Sequence, residues 1–208
     1  MPGDRFFIGI GGGTCSGKTT LSANLKERVG EKVTVITQDR YYERQDELSK
    51  EERKAQNYDH PDAFDWDLKY EHLKKMIEGK PVQVPIYDFT THNRSDETDL
   101  IEPKDSIILE GILALYDEEL RDLMDLKIYM YADDDIRAFR RMDRDTKKRG
   151  RTFDEVKRQY FDTVKPMHEK YVEETRKFAD REIPGNSYDK EYCEELNKLV
   201  EKIKDISS

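Results

Sequence analysis

The stretch Gly12 to Thr19, GGTCSGKT, constrains this chain more than any other, because it fits G-x-x-x-x-G-K-[ST], the phosphate-binding P-loop. Its flanks are the ones that motif requires. RFFIGI at Arg5 to Ile10 reads as a buried strand, and Leu21, Leu25 and Val29 recur four apart, as on one face of a following helix. Glycines in such a turn let the backbone wrap phosphates with successive N–H groups pointing inward, and the helix adds the positive end of its dipole. Gly12, Gly13, Thr14, Cys15, Ser16, Gly17, Lys18, Thr19 and Thr20 are therefore the expected nucleotide-phosphate contacts. Lys18 reaches the outer phosphates, and the Thr19 hydroxyl takes a place on Mg²⁺. An ordinary Gly-rich strand-to-helix turn would match the full pattern by chance on the order of once in a hundred chains of this length.

The rest of the sequence supplies strands alternating with helices, which implies an α/β fold with a mostly parallel sheet covered on both faces. Val33 to Thr37 (VTVIT), Ser106 to Leu109 (SIIL) and Lys127 to Tyr131 (KIYMY) read as further core strands. Helical spacing recurs at Leu68 to Ile77, Asp117 to Met124, Asp133 to Lys148 and Asp189 to Ile206. Phe153 to Phe178 reads as a long helical stretch with a break expected at Pro166, and Glu43 to Gln56 as charged, helical or irregular. Val82 to Phe89 holds Pro85, which favours an edge strand or hairpin arm, and the polar Thr90 to Asp99 leads to a returning arm at Leu100 to Glu102. Arg181 to Ile183 is a candidate last edge strand. The expected organisation is one domain over 1–208, with a hairpin insertion at about 82–102 and a basic lid at about 137–158.

Charge excludes some partners. The net charge is −9, which argues against general affinity for nucleic acid or an anionic membrane. Within that acidic chain, Arg137 to Arg158 carries ten Lys/Arg against four Asp/Glu. Arg137, Arg140, Arg141 and Arg144 fall three or four apart, largely on one helical face. A solvated face is the plain reading, but like charges so placed repel unless an anion meets them, so a closing lid over triphosphate is favoured. Cys15 and Cys193 match no metal spacing and suggest no disulfide framework, and His60, His72, His92 and His168 form no zinc pattern. Met1 to Asp4 lacks the basic start of a signal peptide, and no apolar run approaches the ~18 residues of a membrane span. A reduced, cytoplasmic enzyme is expected.

Phosphoryl transfer needs phosphates held in line, a metal, a group to take the acceptor's proton, and cations for the developing charge. Asp39 follows the second strand at its carboxyl end, the edge where ligands sit in open α/β sheets, and is the candidate base. Glu110 follows SIIL, where an acid helps hold Mg²⁺. Either carboxylate could instead merely cap a loop.

Taken together, GGTCSGKTT, QDRYY, NYDHPDAFD, YDFTTHNRS, ILEGILAL, RDTKKRGR and VKPMH resemble the uridine kinases (uridine–cytidine kinases), in order from about residue 5 to residue 180. The resemblance implies a P-loop kinase fold, ATP-dependent phosphorylation of the 5′-hydroxyl of uridine and cytidine, and a homotetramer, with GTP open as a second donor. Position by position, it places Asp39 as catalytic base and Thr19, Asp39 and Glu110 at Mg²⁺. It places Tyr42, Asp59, Tyr87, His92, Arg141 and Gln159 on the nucleoside, and Arg144 and Arg151, with Lys18, on the phosphates. Asp59 suits two vicinal hydroxyls, Tyr87 offers a stacking face, and His92 offers both a donor and an acceptor to a base edge. Hairpin packing for Tyr87 and a surface position for His92 are the bland alternatives.

The chain departs from the family at Ala179 to Ser187 (ADREIPGNS), where Arg181 and Glu182 argue against a buried last strand, and at Arg40 and Tyr131-Ala132. A signalling GTPase is disfavoured by the absence of N-K-x-D. Another P-loop small-molecule kinase, phosphoribulokinase- or pantothenate-kinase-like, and a nucleotide-binding module without turnover stand as the alternatives.

Overall fold

In the computed structural model, which describes residues 5–206, the strands in chain order are β1 (Phe6–Gly12), β2 (Val33–Thr37), β3 (Val82–Asp88), β4 (Asn93–Ile101), β5 (Ser106–Glu110), β6 (Leu126–Tyr131) and β7 (Arg181–Pro184). The expectation made for Met1 to Asp4 lies outside the described residues. Five strands form one sheet in the order β2-β5-β1-β6-β7, every neighbouring pair parallel. β3 and β4 pair antiparallel with each other as a separate two-stranded sheet.

Alternation along β1 sorts its side chains into two cores. Ile8 and Ile10 face α1 (Lys18–Val29), joining Leu21, Leu25 and, from the C-terminal helix, Leu196, Leu199 and Ile203. Phe7 faces the other way, into a cluster with Leu73, Met76, Leu115 and Met124. α2 (Lys50–Lys54) and α3 (Trp66–Ile77) begin at capping side chains, Ser49 and Asp65, and α4 (Glu118–Asp122) at Asp117. Each takes up an N–H that the first helical turn leaves unpaired.

α5 (Asp134–Lys148) is the basic helix. Past Gly150, a capping box of Thr152 and Glu155 opens α6 (Phe153–Gln159). Pro166 does not break the stretch that follows. Wide π turns at Tyr160–Val164 and His168–Val172 flank α7 (Lys165–Met167), and a 3₁₀ segment at Glu173–Phe178 finishes it. The wider turns accommodate a residue that lacks an N–H and crowds the preceding carbonyls. α8 (Lys190–Ile206) closes the chain.

Two expectations need correction. The returning arm starts at Asn93 rather than Leu100, and its first residues are polar because pairing and charge hold it, not apolar burial. Arg40 donates to Asp99 at 2.7 Å and to the Pro85 carbonyl at 3.2 Å, and Arg94 pairs with Asp65 at 3.0 Å. The candidate last strand is present at the sheet edge, and it is the argument against its burial that fails. Ile183 and Pro184 are buried, while Arg181 and Glu182 turn outward to Glu195 and Arg176. The charges that argued against a strand sit at its start, one on each face, and each is paired with an opposite charge.

Candidate active site

The P-loop lies where β1 hands over to α1, at the carboxyl edge of the sheet. Gly17 caps α1 with φ 102°, a left-handed conformation that suits glycine, and Cys15 shares that region at φ 58°. Lys18 is buried, and its ammonium donates to the Gly12 and Gly13 carbonyls, each at 2.8 Å. Burial pushes its pKa down, while Glu110 and Asp39 act to keep it charged. The Thr19 hydroxyl donates to Glu110 Oε1 at 3.0 Å, so the loop and the end of β5 meet.

A cavity of about 570 Å³ opens over this loop. Of the residues expected from sequence, Thr14, Cys15, Gly17, Lys18, Thr19, Thr20, Asp39, Tyr42, Asp59, Tyr87, His92, Glu110, Arg141, Arg144, Arg151 and Gln159 all line it. Gly12, Gly13 and Ser16 do not. The two glycines serve by holding Lys18, and Ser16 is fully buried with its amide donating to the Gly13 carbonyl at 3.2 Å.

Asp39 sits in the 3₁₀ turn Gln38–Tyr41 directly after β2. Burial raises its pKa, against the pull of Arg149 and Lys18. Glu110 is raised for the same reason, with Lys18 opposing. Thr19 and Glu110 already touch, Asp39 is electrostatically coupled to Glu110, and all three offer oxygen atoms, the donor set that Mg²⁺ takes. Among the described residues no three His, Cys, Asp or Glu cluster as a metal cage.

On one side of Asp39 the cavity wall is aromatic. Tyr42 stacks on Phe64 at 4.6 Å between ring centroids and lies 5.0 Å from Tyr58 and 4.9 Å from Tyr87. Buried Asp59 is the carboxylate here, its pKa raised by burial against Arg141. His92 occupies the turn between β3 and β4 with φ 54°, its ring stacked against Tyr58 at 5.9 Å. Burial, then Arg151, lowers its pKa, so the imidazole is neutral at pH 7. Tyr58 donates to the His92 carbonyl at 3.2 Å and lines the cavity, yet sequence reasoning passed over it. Its signal was there, one residue before Asp59.

Arginines line the same cavity. Arg141 donates to Thr14 Oγ1 and to Gln159 Oε1, each at 3.0 Å, and Arg151 hydrogen-bonds the same Gln159 oxygen. Fully buried Asp145 takes Arg144 at 2.7 Å, with Arg149 at 3.5 Å and Arg141 at 3.6 Å. The basic helical face therefore carries its own counter-ion. Arg137 leaves the cavity altogether, buried against Asp134 and the Ala132 carbonyl, because it lies one turn before the others, at the start of α5. Arg140, read from sequence only as part of the basic lid face, also lines the cavity, as do Arg149 and the loop Gly185 to Tyr188, which were not singled out as site residues. Arg149 is in the quoted RDTKKRGR run, and Gly185 to Ser187 end ADREIPGNS, which the sequence marks only as a departure from the family that leaves the ATP-base side in doubt.

A P-loop at the carboxyl edge of a parallel sheet, with a carboxylate and a ring of arginines facing it, defines a P-loop phosphotransferase. The family model described as "Phosphoribulokinase / Uridine kinase family" matches residues 7–190, and the chain belongs to that family. A uridine kinase of Staphylococcus epidermidis is 52% identical over 184 residues, 88% of this chain and 89% of that protein. A uridine kinase of Brevibacillus brevis is 48% identical over 189 residues, 90% of this chain and 88% of that one. With relatives this similar, the chain is a kinase. Two solved structures share the fold. One, titled a possible uridine kinase from Bacillus stearothermophilus, has a TM-score of 0.61 at 20% identity, covering 86% of this chain and 88% of its own. The other, phosphoribulokinase from Rhodobacter spheroides, has a TM-score of 0.55 at 17% identity, covering 81% and 68%.

Proposed function

We propose that this kinase transfers the γ-phosphoryl group of ATP to the 5′-hydroxyl of uridine and cytidine, giving UMP and CMP. One observation carries the reading: Asp39 stands in a single cavity between the P-loop and an aromatic pocket that holds one buried carboxylate, Asp59. The relatives named uridine kinases support the substrate.

In this reading the nucleoside base lies against Tyr42, Tyr58 and Tyr87, and Asp59 accepts hydrogen bonds from the ribose hydroxyls. Neutral His92 serves both pyrimidines, since it can donate to the uracil carbonyl or accept from the cytosine amine. Arg141 and Gln159 close that pocket. Asp39 accepts the 5′-hydroxyl proton while the sugar oxygen bonds to the γ-phosphorus and the bond to the ADP oxygen breaks. Lys18, Arg144 and Arg151 face the charge that spreads over the transferring oxygens. Thr19, Glu110 and Asp39 would hold Mg²⁺, which when bound neutralises phosphate charge. The segment 137–158 acts as the lid that excludes water. By the same family reading the enzyme is a cytoplasmic homotetramer; its two cysteines are free, as a reduced compartment would leave them.

Asp39→Asn keeps the shape of the site and removes the proton acceptor. It should still bind ATP in calorimetry while kcat falls by about 10²-fold or more. Near-normal turnover in that variant would take Asp39 out of the mechanism.

A further inference from the structure

Arg140 belongs to the basic face of α5, yet it does not reach toward phosphate. Its Nη1 donates to the Gly185 carbonyl at 2.7 Å and to the Cys15 carbonyl at 3.4 Å. One guanidinium nitrogen thus joins the P-loop to the loop that follows β7.

The two loops are in contact as well as bonded. A Cβ built on Gly185 would fall 1.7 Å from the Ser16 carbonyl oxygen, so no larger residue fits there without moving a backbone. The Gly185 amide is fixed from the other side by the Tyr131 carbonyl at 2.7 Å. Beyond this anchor, Asn186, Ser187 and Tyr188 line the same cavity. With the nucleoside against Asp59 and His92 and the triphosphate over the P-loop, this wall, seated on the P-loop itself, is the one left for the donor's base.

We propose that Arg140 is a positioning residue for the base of the phosphate donor. It fastens the Gly185–Tyr188 wall to the P-loop, so that the base site and the phosphate cradle are set as one unit. A charged donor shared by two carbonyls is suited to this, since such bonds are stronger than neutral ones and occupy no P-loop amide. This proposal rests on the reading of the cavity as an ATP site.

Arg140→Ala cuts the fastening, and Gly185→Ala forces the loops apart without touching a charge. The probes are ATP, uridine and inorganic tripolyphosphate, which competes for the cradle but has no base. Each variant should raise the ATP KM about tenfold, the scale of one charge-assisted hydrogen bond, with the uridine KM and the tripolyphosphate inhibition constant held within about twofold. Arg140→Lys, which still reaches one carbonyl, should fall between. If turnover is too low to measure, calorimetric binding of ATP against tripolyphosphate gives the same comparison. An unchanged ATP KM for Arg140→Ala overturns the proposal, and so does equal weakening of ATP and tripolyphosphate, which would make Arg140 a phosphate contact. Wild-type enzyme that phosphorylates no nucleoside with ATP would instead overturn the reading of the site itself.

Discussion

His168 is enclosed beside Arg137 and Glu173, and burial, with Arg137, lowers its pKa to about 4. The unfolded chain binds a proton near the ordinary value of about 6.5, so acidification through that range favours unfolding. The stability this neutral imidazole contributes is whole above about pH 6.5 and is lost as pH falls toward 4. Between pH 7 and pH 5 the loss is about 2 kcal/mol. His168→Gln, which cannot titrate, should therefore show a smaller drop in melting temperature over that interval than wild type. An equal drop would mean that other groups carry the acid sensitivity. Cys15 offers a second residue-scale test, because it lines the cavity, whereas Cys193 is exposed behind that cavity's wall with its thiol on the Ser187 carbonyl. N-ethylmaleimide should inactivate the enzyme, ATP should protect it, and Cys15→Ala should resist. Equal inactivation of Cys15→Ala would place the effect at Cys193.

At the scale of elements, α5 and the turn after it show how a run of arginines is kept in place before any anion arrives. Burial alone would raise the pKa of Asp145, but Arg144, Arg141 and Arg149 override it, so the carboxylate stays ionised and its pKa falls. Asp145→Asn would leave these guanidiniums without a counter-charge. It should cost about 2–4 kcal/mol of stability, less than for a wholly buried charge because Arg144 and Arg149 are partly exposed. ATP should restore a larger share of melting temperature in this variant than in wild type, since triphosphate replaces the missing anion. A smaller ATP-induced shift would show that Asp145 supports the site rather than standing in for its ligand. The sequence announces such a helix by its spacing, but not the carboxylate inside it: Asp145 reads as one more charge in RDTKKRGR. The β3–β4 hairpin is half legible for a related reason. Val82 to Asp88 has apolar alternation and Pro85, whereas Asn93 to Asp99 is held by Arg40, Arg94 and cross-strand pairing that leave no apolar period to read.

For the molecule as a whole, the legible part is the part that local chemistry dictates. GGTCSGKT, the apolar strands and the acids just past them place Lys18, Thr19, Asp39 and Glu110 at one sheet edge, and the fold brings them together. Less legible is what long-range packing decides, such as which way Arg137 and Arg140 turn, or that ADREIPGNS ends in a loop seated on the P-loop. Tyr58 was missed because an aromatic beside a motif carboxylate looks like core until Tyr42 and Tyr87 are seen around it. The central claim is that this cavity phosphorylates pyrimidine nucleosides, and the most direct measurement is nucleoside diphosphate release, ADP from ATP and GDP from GTP, across a nucleoside panel. Phosphorus NMR would identify the products. Uridine and cytidine should give 5′-monophosphates, while 5′-deoxyuridine, adenosine, guanosine and ribulose 5-phosphate should give none. Turnover of ribulose 5-phosphate or of the purine nucleosides in place of uridine, or phosphate at another hydroxyl, would contradict the account.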